Sequence, residues 1–518
     1  MAYDKHTANG KHLANDKHLI VHKFGGTSVG DAQRISNVAN IILSQHDKTK
    51  ADQFAPKRGQ PALQGSAVVV SAMTGVTDQL ITGGRAAAEG KDSVYREIKS
   101  RLLQRHLEVV ETLLSRSPER LEVGGLIEDR LHDLERLYRS IAVLGEFTVR
   151  GCDAVSSLGE QLSANILAAV LRERGERAQA VPATELIVTD ESFGAAQPLK
   201  GPTHQRINQR LRPLIERGVI PVVTGYIAAT EQGVTTTLGR GGSDYTAAIL
   251  GAGLGAGEVW IWSDVDGILT ADPNLVPEAR TLRELSYAEA ASLAYYGADV
   301  LHPKTIHPVI EAEIPLRILN SFNPTHPGTL IVKTPDPKRD LWPAIISTTG
   351  LSLIAVGTRD DHWTQHEAAR ALQLLSEAGV EVPLFSQSFS EHSLNLVVRE
   401  QNHAHCLNVL RREFGGEHTW AKPDATETTL PERPHTNGIY NLGVKEKVAT
   451  VSVVGFPGWH SSGIVSLAFT ALGKCGTRVI AVAQAGTEYS VSFCIPEDQV
   501  ESTVRILHSE LGPDGNHG

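Results

Sequence analysis

From Leu19 onward, short β-branched apolar runs alternate with stretches in which apolar residues recur at helical spacing. Leu19–Phe24, 67–70, Ala178–Val181, 219–223 and 259–262 read as buried strands because their apolar character is nearly unbroken, and helices lie between them. This alternation predicts an α/β fold with a mostly parallel central sheet, helices on both faces and ligands at the carboxyl ends of the strands. The Pro-rich stretch Thr334-Pro335-Asp336-Pro337, followed by Pro343, predicts a domain boundary.

Beyond that boundary the pattern repeats. LSEAGVEVPLFSQSFSEHSL from Leu375 and LGKCGTRVIAVAQAGTEYSV from Leu472 align without a gap, so that Leu375, Gly379, Val382, Gln387, Glu391 and Ser393 recur as Leu472, Gly476, Val479, Gln484, Glu488 and Ser490. A strand precedes each copy, at 353–356 and 449–454. Each also carries an amphipathic helix, with apolar positions Ala368, Leu372 and Leu375 or Val465, Phe469 and Leu472. Each unit therefore reads β-α-β-β-α, and the polar, Gly- and Pro-containing segment 415–443 between them reads as a linker.

At 518 residues the chain exceeds one ordinary core, which predicts two to four domains. Nothing approaches the roughly 20 unbroken apolar residues of a membrane span, so no membrane role is expected. A formal net charge of −10 opposes a polyanion-wrapping surface, and nucleic acid is set aside. Cys152, Cys406, Cys475 and Cys494 show neither zinc nor disulfide spacing, which fits a reducing cytoplasm. Residues 1–18 repeat Lys-His pairs without an apolar core. They read as a mobile polar tail rather than a secretory signal.

Three motifs carry candidate chemistry. VHKFGGTSVG puts Lys23 at a strand end and Gly25, Gly26, Thr27 and Ser28 in the turn before a helix, where backbone N–H groups can approach phosphate and a Lys can neutralise a phosphoryl group in transfer. Alone, such a glycine pair equally describes a tight strand-helix turn. TTLGRGGSDYTAA runs into a helix near Ser243. Arg240 offers a fork for a carboxylate, and Asp244 a negative charge for a metal or a catalytic Lys; a plain N-cap with a solvated Arg is the bland reading. WSDVDGILTADPN gathers Ser263, Asp264, Asp266 and Asp272 at a strand end, suiting a nucleotide, although Asp266 and Asp272 also fit ordinary turns.

KFGGTS, VVSAMTGVTD, SLGEQLSA, TTLGRGGSDYTAA, WSDVDGILTADP and YYGADVLHPKT occur in the order and approximate spacing of aspartate kinases, of the amino-acid kinase superfamily, and the chain resembles that family over about residues 20–510. The repeat resembles the family's paired ferredoxin-like (βαββαβ) ACT domains, most of all those of fused aspartate kinase–homoserine dehydrogenases. In that arrangement one ACT unit is inserted in the other, and a strand near 344–347 completes the later unit. The resemblance implies a catalytic domain at 19–333 and ACT domains at 343–414 and 444–511. It implies that Lys23 and Asp244 are catalytic, that Gly25, Gly26 and Ser28 bind phosphate, and that Ser71, Thr77, Glu160, Tyr226, Arg240 and Ser243 bind L-aspartate. ATP, with Mg²⁺, is expected against Ser263, Asp264, Leu269, Asn274, Asp299 and Val300. Threonine or lysine is the expected feedback effector, and a homodimer or higher homo-oligomer is expected through the ACT domains. Gln387 and Gln484, at equivalent strand ends, offer a donor and an acceptor for such an effector, or else satisfy turn backbone.

Three positions depart from the family pattern. Leu269, Asn274 and Asp299 stand where Tyr, Arg and Lys are usual, removing two cations from the nucleotide side. They favour a second reading, a catalytically weak amino-acid sensor, which intact Lys23, Glu160, Arg240 and Asp244 oppose.

Overall fold

A computed structural model describes residues 19–51, 65–115, 118–296, 303–339, 342–358, 364–388, 392–414, 440–455, 461–484 and 490–511. These form two compact units. The first comprises the described residues that fall within 1–268, 283–287 and 300–337, and the second those that fall within 269–282, 288–299 and 338–518.

The strands of the first unit are β1 (Leu19–Phe24), β2 (Gly65–Val70), β3 (Ala178–Val181), β4 (Val188–Thr189), β5 (Ile220–Thr224), β6 (Ile227–Thr230), β7 (Thr235–Thr237), β8 (Glu258–Ser263), β9 (Glu284–Ser286), β10 (Leu316–Asn320) and β11 (Thr329–Val332). Eight of them form one sheet in the order β3-β5-β2-β1-β8-β10-β11-β9, and β4, β6 and β7 form a smaller one. Every neighbouring pair in the large sheet is parallel except β10 with β11. The expected parallel α/β sheet is therefore present, with an antiparallel edge that the apolar runs did not announce.

β2 and β5 are buried at every residue, as their unbroken valines and isoleucines demand. On one face Phe24, Val68, Val70 and Trp262 join a core with Ile35 and Ile42 of the helix Ala32–Ala51 and with Leu162, Ile166 and Val170 of the helix Leu158–Glu173. Alternation along β1 sends Lys23 to the opposite face, which the helix Gly242–Leu254 covers. The stretch Val149–Glu173 is long and apolar enough to cross a membrane by composition alone, yet 83% of its apolar window is buried inside this unit, as in a core helix.

The strands of the second unit are β12 (Ala344–Thr358), β13 (Leu384–Ser388), β14 (Ser393–Arg399), β15 (Tyr440–Val454), β16 (Ala481–Gln484) and β17 (Ser490–Pro496), in the order β13-β14-β12-β15-β17-β16. β12 and β15 each serve both repeats. Leu351 to Gly357 pair with β14, whereas Ala344 to Thr348 pair with the end of β15, so the segment expected to complete the later unit does so. The register breaks between Thr348 and Leu353, where Gly350 takes φ +68°. Gln387 opposes Leu394 and Gln484 opposes Val491, the equivalent register in each copy. Gly379 and Gly476 both sit at φ +67° just beyond a helix, where a side chain would be strained.

Two sequence expectations change. Phe469 is 46% exposed, because the helix Ser461–Cys475 buries Ile464, Ala468, Ala471 and Leu472 instead. The stretch Leu269–Leu282, placed by sequence inside the catalytic domain, packs in the second unit. Ala271 and Val276 join its core, Thr270 Oγ1 lies 2.9 Å from His508 Nε2 in a buried hydrogen bond, and Ile345 N donates to Thr270 O at 2.8 Å.

Candidate active site

β1 pairs with β2 on one side and β8 on the other, so the strand order reverses at β1 and a crevice opens at the carboxyl ends of these strands. Beyond β1 the chain makes a short 3-10 turn, Gly26–Val29, and the long helix begins only at Ala32. The glycine loop therefore does not run straight into an α-helix, as the sequence suggested. Gly26 is needed for approach: a Cβ there would lie 2.9 Å from Ala72 O. Ser71 N donates to Phe24 O at 3.1 Å and Thr74 Oγ1 to Gly26 O at 2.8 Å, locking the loops after β1 and β2 together. The Ser28 hydroxyl is buried and bonded to Ser321 Oγ at 2.9 Å.

Lys23 Nζ lies 2.6 Å from Asp244 Oδ1, both side chains being mostly shielded. Asp244 occupies the first turn of the helix Gly242–Leu254. The preceding loop needs its glycines, since Gly239 at φ +76° and Gly241 at φ +71° flank Arg240. Ser71 Oγ donates to Ser243 Oγ at 2.9 Å. Tyr226 holds φ +68°, a left-handed conformation uncommon for a bulky residue. It is kept there by its N–H to Thr246 Oγ1 at 3.2 Å and by Leu238 N donating to its carbonyl at 2.9 Å.

Glu160 is the most unusual group. It is buried, with Oε1 accepting from Ala72 N at 3.1 Å and Oε2 buried without a hydrogen-bond partner. Desolvation by burial pushes its carboxyl up to about 8, against the lowering effect of the Ala72 N–H. At neutral pH it is chiefly the neutral acid, awaiting a cation.

These groups surround one cavity of about 450 Å³. Lys23, Ser71, Thr77, Glu160, Tyr226, Arg240, Ser243 and Asp244 all line it, with Gly194, Gly239, Gly241 and Gly242. Sequence reasoning missed Gly194, which has no side chain to read, and also the buried Asp153 that holds it. Other expected site residues lie elsewhere. Gly25, Gly26, Ser28, Ser263 and Asp264 are not among the lining residues. Ser263 Oγ donates to Asp264 Oδ1 at 3.1 Å at the end of β8. Leu269, bridged to Thr281, and Asn274 belong to the second unit. Asn274 N and Nδ2 both donate to Asp272 Oδ1, at 2.9 and 3.0 Å, so Asp272 is a turn former, and Asp266 accepts from Asn320 and Asn323. Asp299 and Val300 fall outside the described residues. In the second unit Gln387 Nε2 is buried without a hydrogen-bond partner, whereas Gln484 is exposed.

The amino acid kinase family profile matches residues 18–320, and an ACT domain profile matches 364–414 and 451–511. Aspartokinase 1, chloroplastic, of Arabidopsis thaliana is 31% identical over 500 residues, which span 96% of this chain and 80% of that protein. The chain belongs to the aspartokinases of the amino acid kinase family. Bifunctional aspartokinase/homoserine dehydrogenase 2, chloroplastic, of the same plant is 32% identical over 95% of this chain, which spans about half (50%) of that longer protein. E. coli aspartokinase III, solved with aspartate and ADP in its R state, superposes with a TM-score of 0.75 at 28% identity, covering 95% of this chain and 99% of that one. Its T-state complex with lysine and aspartate gives a TM-score of 0.72 at 26% identity. The α/β kinase fold and the ACT pair are thus those of the aspartokinases.

In this aspartokinase site, Gly225 fixes the distance between two loops. A Cβ there would lie 2.5 Å from Ser243 Oγ and 3.0 Å from Val70 O, so Gly225→Ala must push the Gly242–Leu254 helix start away and break the Ser71–Ser243 bond. Thermal unfolding should show the midpoint lowered by at least ~2 °C; an unchanged midpoint would mean that the loops are not held this tightly.

Proposed function

We propose that the chain is an aspartate kinase, converting ATP and L-aspartate to ADP and 4-phospho-L-aspartate, with feedback control through its ACT domains. The observation that carries the reading is the buried, half-unpaired Glu160 carboxylate in a cavity that also holds Arg240 and the Lys23–Asp244 pair. A small amino acid with two carboxylates matches that set: its ammonium suits Glu160, its α-carboxylate suits the Arg240 fork, and its β-carboxylate is left toward Lys23. The aspartate and ADP bound by E. coli aspartokinase III support aspartate as the amino acid.

A β-carboxylate oxygen is already nucleophilic. It forms its bond to the γ-phosphorus of ATP as the bond to the β,γ-bridging oxygen breaks, ADP carries away the electron pair, and no proton needs to move. Catalysis then reduces to positioning and charge. Lys23 neutralises the phosphoryl oxygens in flight, and Asp244 keeps its ammonium aimed. Ser71 and Ser243, bonded to each other, supply hydroxyls at the substrate wall. Among the described residues no group of three acidic, His or Cys side chains could hold a metal. A Mg²⁺ bound chiefly by nucleotide phosphates, with Asp244 as one protein carboxylate, fits such a donor set and would neutralise phosphate charge. The Gly25–Gly26 turn, Ser263 and Asp264 are assigned to the nucleotide. The sensor reading is disfavoured because Lys23, Glu160, Arg240 and Asp244 meet at one cavity despite the departures at Leu269, Asn274 and Asp299.

ADP release measured with aspartate, glutamate and acetylglutamate tests the function, and turnover must be specific to aspartate; equal or greater turnover with either other substrate contradicts it. In that assay Lys23→Ala should lower kcat by ~100-fold or more with aspartate KM nearly unchanged, whereas Arg240→Ala should raise aspartate KM at least ~10-fold. A kcat near the parent's in the first variant, or an unchanged KM in the second, would remove that residue from its role.

Regulation is assigned to the ACT pair, with lysine or threonine as effector and a homo-oligomer as the coupled unit; the lysine complex of E. coli aspartokinase III supports an amino-acid effector. Gln387→Ala or Gln484→Ala should raise the effector concentration for half-inhibition while uninhibited kcat stays at the parent value. If both variants stay as sensitive as the parent, the effector lies elsewhere.

A further inference from the structure

Asp153 is absent from the cavity lining, yet its carboxylate holds three donors behind that lining. Oδ1 accepts from Thr237 Oγ1 at 2.7 Å, and Oδ2 accepts from Thr237 N at 3.1 Å and from Gly194 N at 2.9 Å. Asp153 and Thr237 are 2% and 0% exposed, so no water competes for these bonds. Gly194 lines the cavity itself. Thr237 ends β7 and stands three residues before Arg240, whose own loop is anchored by two left-handed glycines and so has little stiffness of its own. Thr237 O also accepts from Ala196 N at 2.9 Å, tying the Gly194 loop to the same anchor.

The network reaches a third lining residue. Leu238, next to Thr237, donates its N–H to the Tyr226 carbonyl at 2.9 Å. Tyr226 needs such tethers because its φ of +68° is unfavourable for a bulky residue.

We propose that Asp153 is the positioning residue of the amino-acid pocket, setting through Thr237 and Gly194 the places of Arg240, Tyr226 and the Gly194 wall. The inference rests on the reading of this cavity as the aspartate site. It concerns affinity for the amino acid and leaves the nucleotide side untouched, which separates it from a merely structural role.

The full-length chain tests it through Asp153→Asn, Thr237→Val and Thr237→Ser, each assayed by ADP release with both substrates varied. Asparagine matches aspartate in shape but presents a donor where a donor already points, and valine removes the hydroxyl, whereas serine keeps it. Asp153→Asn and Thr237→Val should each raise aspartate KM at least ~5-fold with ATP KM within about twofold of the parent, and Thr237→Ser should stay near the parent. Aspartate KM unchanged in Thr237→Val, aspartate and ATP KM rising together, or Thr237→Ser as impaired as Thr237→Val overturns the proposal; the threonine pair decides it even if Asp153→Asn does not fold. A parent chain without aspartate-dependent ADP release would instead sink the functional reading, before any variant is compared.

Discussion

Everything at this site follows from burying one carboxylate without a counter-ion. Glu160 sits on the core helix Leu158–Glu173, with Oε1 accepting from Ala72 N and its second oxygen buried without a partner. Burial strips most of its hydration, so the group keeps its proton up to about pH 8, because a bare charge there would be costlier than the neutral acid. Since the folded value lies above the unfolded one of about 4.3, this group favours folding at low pH, and its contribution is lost as pH rises from there through 8. Such a cost persists where a ligand repays it. A bound ammonium would supply the missing partner, and the Lys23–Asp244 pair and Arg240 then divide the cavity into places for two carboxylates.

The fold positions these groups by topology rather than by local sequence. Lys23 sits near the end of β1, Ser71 just after β2 and Asp244 in the first turn of the helix Gly242–Leu254, and they meet at the crevice where the strand order reverses at β1. Close approach then demands glycine at Gly26 and Gly225, where a Cβ would strike backbone or Ser243. The second unit reuses the same economy of backbone: β12 and β15 each run through both repeats. The stretch Leu269–Leu282, only a few residues beyond Ser263, is built into that unit through Thr270, Ala271 and Val276.

Much of this was legible in the sequence. The unbroken apolar runs located five parallel strands within a residue or two, and the gapless repeat located the ACT pair, because both signals report burial and periodicity directly. All eight residues that the resemblance to aspartate kinases assigned to catalysis and aspartate line the cavity. What escaped was information carried by pairing. The antiparallel edge of the sheet, the exposure of Phe469 and the packing of Leu269–Leu282 in the second unit depend on neighbours remote in sequence. Asp153 and Gly194 escaped for the same reason: one acts through backbone N–H groups, and the other has no side chain to read. Asp272, for which the sequence left a nucleotide contact and an ordinary turn both open, is a turn former bonded to Asn274.

The central claim is that Glu160 receives the ammonium of the amino acid, and proton release on binding tests it most directly. Calorimetric titration of the full chain with L-aspartate in buffers of differing ionisation enthalpy counts the protons exchanged. With a free-state value of about 8, binding at pH 7 should release close to one proton, falling to roughly half a proton at pH 8 and little at pH 9. Glu160→Gln should abolish the release along with most of the affinity. Binding at pH 7 with an enthalpy independent of the buffer would contradict the account.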